Sequence, residues 1–143
     1  MRHFLLLLTL IATTSLTAQD FLEWGTLADV TFEDHLTEDF GVPYQTATFG
    51  DEIKGYEGKT VTVKGYMIPL DAMGISYVIS RNPNASCFFC GGAGPETIVK
   101  LDLKPKYIER YQTDAVLMFR GTLRMNESNQ HKFNYVLEGA ERL

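Results

Sequence analysis

From Thr60 onward the chain alternates with a period of two, and this pattern constrains the fold more than any other feature. Val61 and Val63 alternate with Thr62 and Lys64, the spacing that puts one face of a strand into a core and the other toward water. Gly65 interrupts before Tyr66-Met67-Ile68-Pro69-Leu70, and a glycine inside a strand pattern predicts a bulge or sharp bend. Residues 71–74 read as a short hairpin connection, 75–80 as a second strand and Arg81-Asn82-Pro83-Asn84 as turn chemistry. A third strand is expected over 96–103 and a fourth over 115–125, with Gly121 inside it. A fifth, over 132–138, follows the polar turn 126–130. Residues 105–112 fit one short helix, with Pro105 in its first turn and Tyr107, Ile108 and Tyr111 on one side. Five strands, a helix after the third and a kinking glycine in the first match a mainly β chain folded as a small five-stranded OB-like Greek-key barrel. An open β-sandwich is the alternative. The barrel domain is expected over 56–143.

Residues 19–55 lack a helical period. Trp24, Leu27, Val30 and Phe32 stand as apolar anchors among acids, and Pro43 pushes Val42 away from helix. The segment reads as an N-terminal arm that lays Trp24, Phe32 and Phe49 onto the barrel. The carboxylate runs Glu33-Asp34 and Glu38-Asp39 read as a solvated face.

Residues 1–18 read as a cleavable signal peptide. A charged start, Met1-Arg2-His3, precedes an apolar run from Phe4 to Ile11 broken only by Thr9, and Ala18 stands at the expected cut. The run is shorter than the roughly 20 residues that span a bilayer, and no cysteine near the cut offers a lipid anchor. An exported chain, periplasmic or secreted and without membrane insertion after cleavage, is the expectation. The net charge is −5, and losing Arg2 makes the mature chain slightly more negative. That balance argues against nucleic acid, where affinity comes from Lys and Arg on phosphates, and against an anionic membrane surface.

The chemistry is concentrated in one loop, Cys87-Phe88-Phe89-Cys90-Gly91-Gly92-Ala93-Gly94-Pro95-Glu96, which holds both cysteines of the chain. As thiolates the pair makes half of a tetrahedral zinc site. Glu96, His35, His131, an aspartate or a second subunit would supply the rest. His131 stands between Gln130 and Lys132 and His35 follows the acids Glu33 and Asp34, settings that equally suit a surface position. In an oxidising compartment Cys87 and Cys90 could instead form a disulfide. So short a ring constrains the unfolded chain by only about 2 kcal/mol, so global stability would not be its purpose. A thiol-disulfide enzyme is a third reading. Such an enzyme wants its thiol at a helix N-terminus, and the run Gly91, Gly92, Gly94 and Pro95 is hostile to a helix. These loop-shaping residues read as a tight turn that returns Glu96 to the sheet; an anion-binding nest is the alternative. Asn84-Ala85-Ser86 and Asn126-Glu127-Ser128 are formal glycosylation sequons and read as turn residues.

The stretch Gly58-Lys59-x-Val61-x-Val63-x-Gly65-Tyr66-Met67-Ile68-Pro69-Leu70, the cysteine loop and Ile98-Val99 together resemble a bacterial family of small exported proteins, the domain of unknown function numbered 3299. The resemblance covers most of the mature chain. Another branch of that family carries Cys-x-His, a proline run and Asn-Gln where this chain has Cys87, Phe89, residues 91–95, Glu96 and Thr97. The resemblance implies that one metal-ligand pair replaces another, because a lone Cys with a His forms no intrachain disulfide. It also implies association with exported metal-handling and transporter proteins.

The expected function is a non-enzymatic exported metal-binding or metal-trafficking module that takes zinc at Cys87 and Cys90. The alternative is a protein-interaction barrel serving an envelope protein or transporter component, with a structural or redox-labile Cys87–Cys90 disulfide.

Overall fold

The computed structural model describes residues 20–130 and 132–143. The signal-peptide expectation over 1–18 and the candidate ligand His131 lie outside the described residues.

The five expected barrel strands are present. Strand β4 (Thr60–Pro69), β5 (Tyr77–Ser80), β6 (Ile98–Leu103), β7 (Val116–Met125) and β8 (Tyr135–Arg142) are hydrogen-bonded in the order β4-β5-β6-β8-β7. Pairing of β7 with β4 closes the circle. All these pairings are antiparallel except β6 with β8. This is a closed five-stranded Greek-key barrel of the OB kind. Strand β1 (Asp20–Phe21) adds in parallel beside Val61 and Thr62.

Period two works as read. Val61, Val63 and Met67 of β4 are buried with Tyr77, Ile79, Val99, Leu101, Phe119, Leu123, Tyr135 and Leu137 in one core. Gly65 makes no register shift. It stands where β4 passes from pairing with β7 to pairing with β5, and a Cβ there would lie 2.4 Å from the Ser80 carbonyl and 3.0 Å from the Trp24 ring. Close approach of neighbouring atoms, rather than a bulge, is what requires glycine at this point. The irregularity on β7 falls between Arg120 and Thr122, around Gly121. Its partner β8 continues through Gly139, at φ +59°, to Arg142. For that reason the last strand runs past the expected end at Glu138.

The helix expected over 105–112 is a single 3-10 turn, Pro105–Tyr107. Tyr111 explains the difference. Its backbone N–H donates to the Tyr77 hydroxyl at 2.9 Å, and its ring stands edge-on to Tyr77 and Phe119. These contacts pull the chain straight, and Ile108 is left exposed.

The N-terminal arm contains more structure than its sequence suggests. Helix α1 (Trp24–Leu27) is followed by a hairpin of β2 (Val30–Leu36) and β3 (Pro43–Phe49), then by helix α2 (Asp51–Lys54). Leu22, Leu27, Phe49 and Ile53 are buried in the same cluster as the barrel interior, with Trp24 and Phe32 packed against it. Asp29 caps α2 from a distance, accepting from the Glu52 and Ile53 amides. The Trp24 indole N–H donates to the Lys64 carbonyl at 2.9 Å. The runs Glu33-Asp34 and Glu38-Asp39 are exposed, as a solvated face should be. No helix among the described residues is long and apolar enough to cross a membrane.

Candidate functional site

The cysteine loop connects β5 to β6 and lies over the outside of the barrel. Ile68, Val78 and Ile98 point outward from β4, β5 and β6 and form a second, smaller apolar cluster. Phe88 of the loop and Phe133 of the β7–β8 connection pack onto it. Burial of Phe88 therefore anchors the loop to the sheet.

Locally the loop is a chain of tight turns. Two 3-10 turns, Asn84–Ser86 and Phe88–Cys90, flank Cys87. The Cys90 amide donates to the Cys87 carbonyl at 3.1 Å and the Gly91 amide to the Phe88 carbonyl at 3.0 Å. Gly91 then takes the left-handed conformation, φ +72°, which glycine adopts without steric cost. At Gly92 a Cβ would meet the Ser86 carbonyl at 2.7 Å. Pro95 opens a third 3-10 turn, and the Thr97 hydroxyl closes it on the Gly94 carbonyl at 2.7 Å. The glycine run acts as the expected turn that returns the chain to β6.

These turns set the two thiols side by side in unequal surroundings. Cys87 is fully buried and Cys90 is exposed; both are free thiols. Asn84 serves both, its carbonyl accepting from the Cys90 sulfur at 3.1 Å and its side-chain oxygen lying 4.0 Å from the Cys87 sulfur. Desolvation and the adjacent Cys87 thiol push the Cys90 thiol above its ordinary pKa. A catalytic thiolate needs the opposite shift.

Glu96 and His35, the candidate ligands among the described residues, stand apart from the pair. The Glu96 carboxylate folds back over Gly94, where a Cβ would meet it. His35 is half-buried on β2, with its Nε2 2.8 Å from the Thr46 hydroxyl and its ring stacked on Tyr44 at 5.2 Å. It lines a pocket of about 660 Å³ with Leu36, Val42, Tyr44 and Gln45. Among the described residues, no three His, Cys, Asp or Glu side chains are grouped to hold a metal ion. Glu96 and His35 do not join Cys87 and Cys90 in such a group.

The sequence reading missed an apolar pocket beside the thiols. Phe88, Phe89, Pro95, Ile98 and Phe133 line a space of about 370 Å³, with Asn129, Gln130, Lys132 and Asn134 around it. The Phe88 and Phe89 rings meet edge to face, as do Phe89 and Phe133. Two adjacent phenylalanines in an exposed turn were the available sign, and Phe133 gave none because its partner lies 44 positions away in the chain.

No family model matches the chain, and no curated protein matches it. A crystal structure of a DUF3299 family protein from Pseudomonas aeruginosa PAO1 is similar over 88% of this chain and 97% of its own, with a TM-score of 0.52 and 12% sequence identity. The chain has the fold of a DUF3299 family protein, the same family that its sequence resembles.

Proposed function

We propose that this chain is an exported, non-enzymatic module that binds a thiophilic metal ion, zinc in the first instance, through Cys87 and Cys90. One observation carries the reading: a buried and an exposed thiol sit side by side on one tight turn. Such a pair offers two soft donors from one side and leaves the remaining positions open. An open site suits acquisition and transfer better than a permanent structural role, because an incoming ligand completes it. His131 is the donor within this chain to test first. A second copy of the chain, pooling two cysteine pairs, is the other source of donors. The test is zinc titration of the reduced protein. Roughly stoichiometric uptake that disappears in Cys87→Ser supports the reading, and weak uptake that is unchanged in that variant defeats it.

A second reading, a protein-interaction barrel of an envelope or transporter assembly, draws on the β2–β3 hairpin. Leu36, Phe40 and Val42 at its tip are largely exposed, Phe40 at 87%. An apolar tip of this kind suits a protein partner. In that role the cysteine pair would be a structural or redox-labile disulfide. Capture of a partner that survives chelation and is lost when Phe40 becomes serine favours this reading.

A further inference from the structure

The pocket between the cysteine loop and the β7–β8 connection carries an inference of its own. Its volume, about 370 Å³, lies within the range of small-molecule sites. Its floor is Ile98, its walls are Phe88, Phe89 and Phe133, and its rim is polar. Edge-to-face rings at 5.5 and 6.4 Å leave π-faces turned to different sides, an arrangement that receives a flat aromatic body by offset or edge contact.

Lys132 is the charged side chain among the described residues that line the space, and it makes no ion pair among the described residues. The chain as a whole is negative. At physiological salt that wider field is screened beyond roughly 8 Å, so the local cation decides which sign of ligand is held. The outer face of the second and third strands is also where OB barrels commonly place ligands; this is analogy of fold and supports only the location.

Phe88 and Phe89 are the two residues between Cys87 and Cys90. Any ligand drawing the two sulfurs together acts on the backbone that carries both aromatic walls.

We propose that this pocket binds a small amphipathic molecule with a flat aromatic body and one anionic head, and that metal at Cys87 and Cys90 changes its affinity. The coupling rests on the metal reading given above; the pocket does not. Linkage requires the effect to be reciprocal, so the aromatic ligand shifts metal affinity by the same factor.

The experiment is calorimetric titration of the reduced, metal-free full chain with 2-naphthoate and with its uncharged analogue 2-naphthalenemethanol, repeated with zinc bound. Naphthoate binds better than the alcohol. Phe89→Ala weakens it roughly tenfold, as expected for loss of an aromatic wall, and Lys132→Gln removes the preference for the anion. Phe89 is half exposed, so its truncation leaves the barrel folded, whereas Phe133→Ala alone would leave that open. Zinc changes the naphthoate affinity in the wild type and not in Cys87→Ser. Absence of naphthoate binding, or binding indifferent to both Phe89→Ala and Lys132→Gln, overturns the site whatever zinc does. Independent binding of zinc and naphthoate overturns the coupling. Naphthoate binding without zinc uptake leaves the pocket standing and defeats the metal reading.

Discussion

The Tyr135 hydroxyl donates to the Leu27 carbonyl at 2.8 Å across 108 residues of chain. One bond thus ties α1 to the start of β8, with Tyr135 fully buried between them. It makes the N-terminal segment a part of the core instead of a strap laid over it. Tyr135→Phe is expected to cost about 1–2 kcal/mol, the loss of a buried hydrogen bond with its carbonyl partner left inside. Chemical denaturation measures the cost. The midpoint should fall with no change in slope if the arm and barrel unfold together.

Crowding at Gly65 leads to a second expectation. A methyl group there meets the Ser80 carbonyl, the Ile79 side chain and the Trp24 ring. Backbone does not yield cheaply, so Gly65→Ala should destabilise by roughly 1–3 kcal/mol. Gly25, with nothing within 4 Å of its Cβ position, is the control. Gly25→Ala in α1 should be neutral or mildly stabilising. Thermal melts of the two variants separate crowding from a general intolerance of glycine replacement.

Acid sensitivity should centre on Glu141. Its hydrogen bonds with Lys104 and Arg120 hold its carboxyl at about 2, below the usual value of 4.5. A depressed folded-state value means the stabilisation is complete above the unfolded pKa and is lost as pH falls from there through the folded one. The contribution therefore fades between about 4.5 and about 2. Glu141→Gln should flatten the stability profile in that window and leave its shape near neutrality unchanged. Denaturation midpoints across pH 2–7 test this.

The thiols should label in order. Cys90 is exposed and its thiol is pushed above the ordinary value by burial of its surroundings and by Cys87. Iodoacetamide should attack it slowly at neutral pH and faster as pH rises past the range of a free cysteine, because only the thiolate reacts. Cys87, fully buried, should label only when the loop opens. Mass spectrometry of digests over time reads both rates. Fast neutral labelling of either cysteine would instead favour a thiol enzyme.

The barrel was legible because its code is local. Val61 with Val63 and Tyr77 with Ile79 announce the inward face by alternation alone, and inside-outside pairing then fixes the register. The β2–β3 hairpin was not legible, because Glu33-Asp34-His35 has little strand preference. What holds it is distant: the Gln45 amide donates to the Asn129 side chain, and the Asn129 amide returns the bond to the Gln45 carbonyl. Tyr111 defeated the expected helix in the same way, through Tyr77. In the site, the adjacency of Cys87 and Cys90 followed from spacing. The contributions of Asn84 and Phe133 depend on folding and had no separate mark in the sequence.

The most direct measurement combines elemental analysis with free-thiol counting on protein purified without chelator from its source cells. The metal reading predicts zinc bound in proportion to chain or to chain pairs, with both thiols released only when the metal is removed. Metal-free protein whose two cysteines are joined in a disulfide, or stand as two freely titrating thiols that take up no zinc, would contradict it.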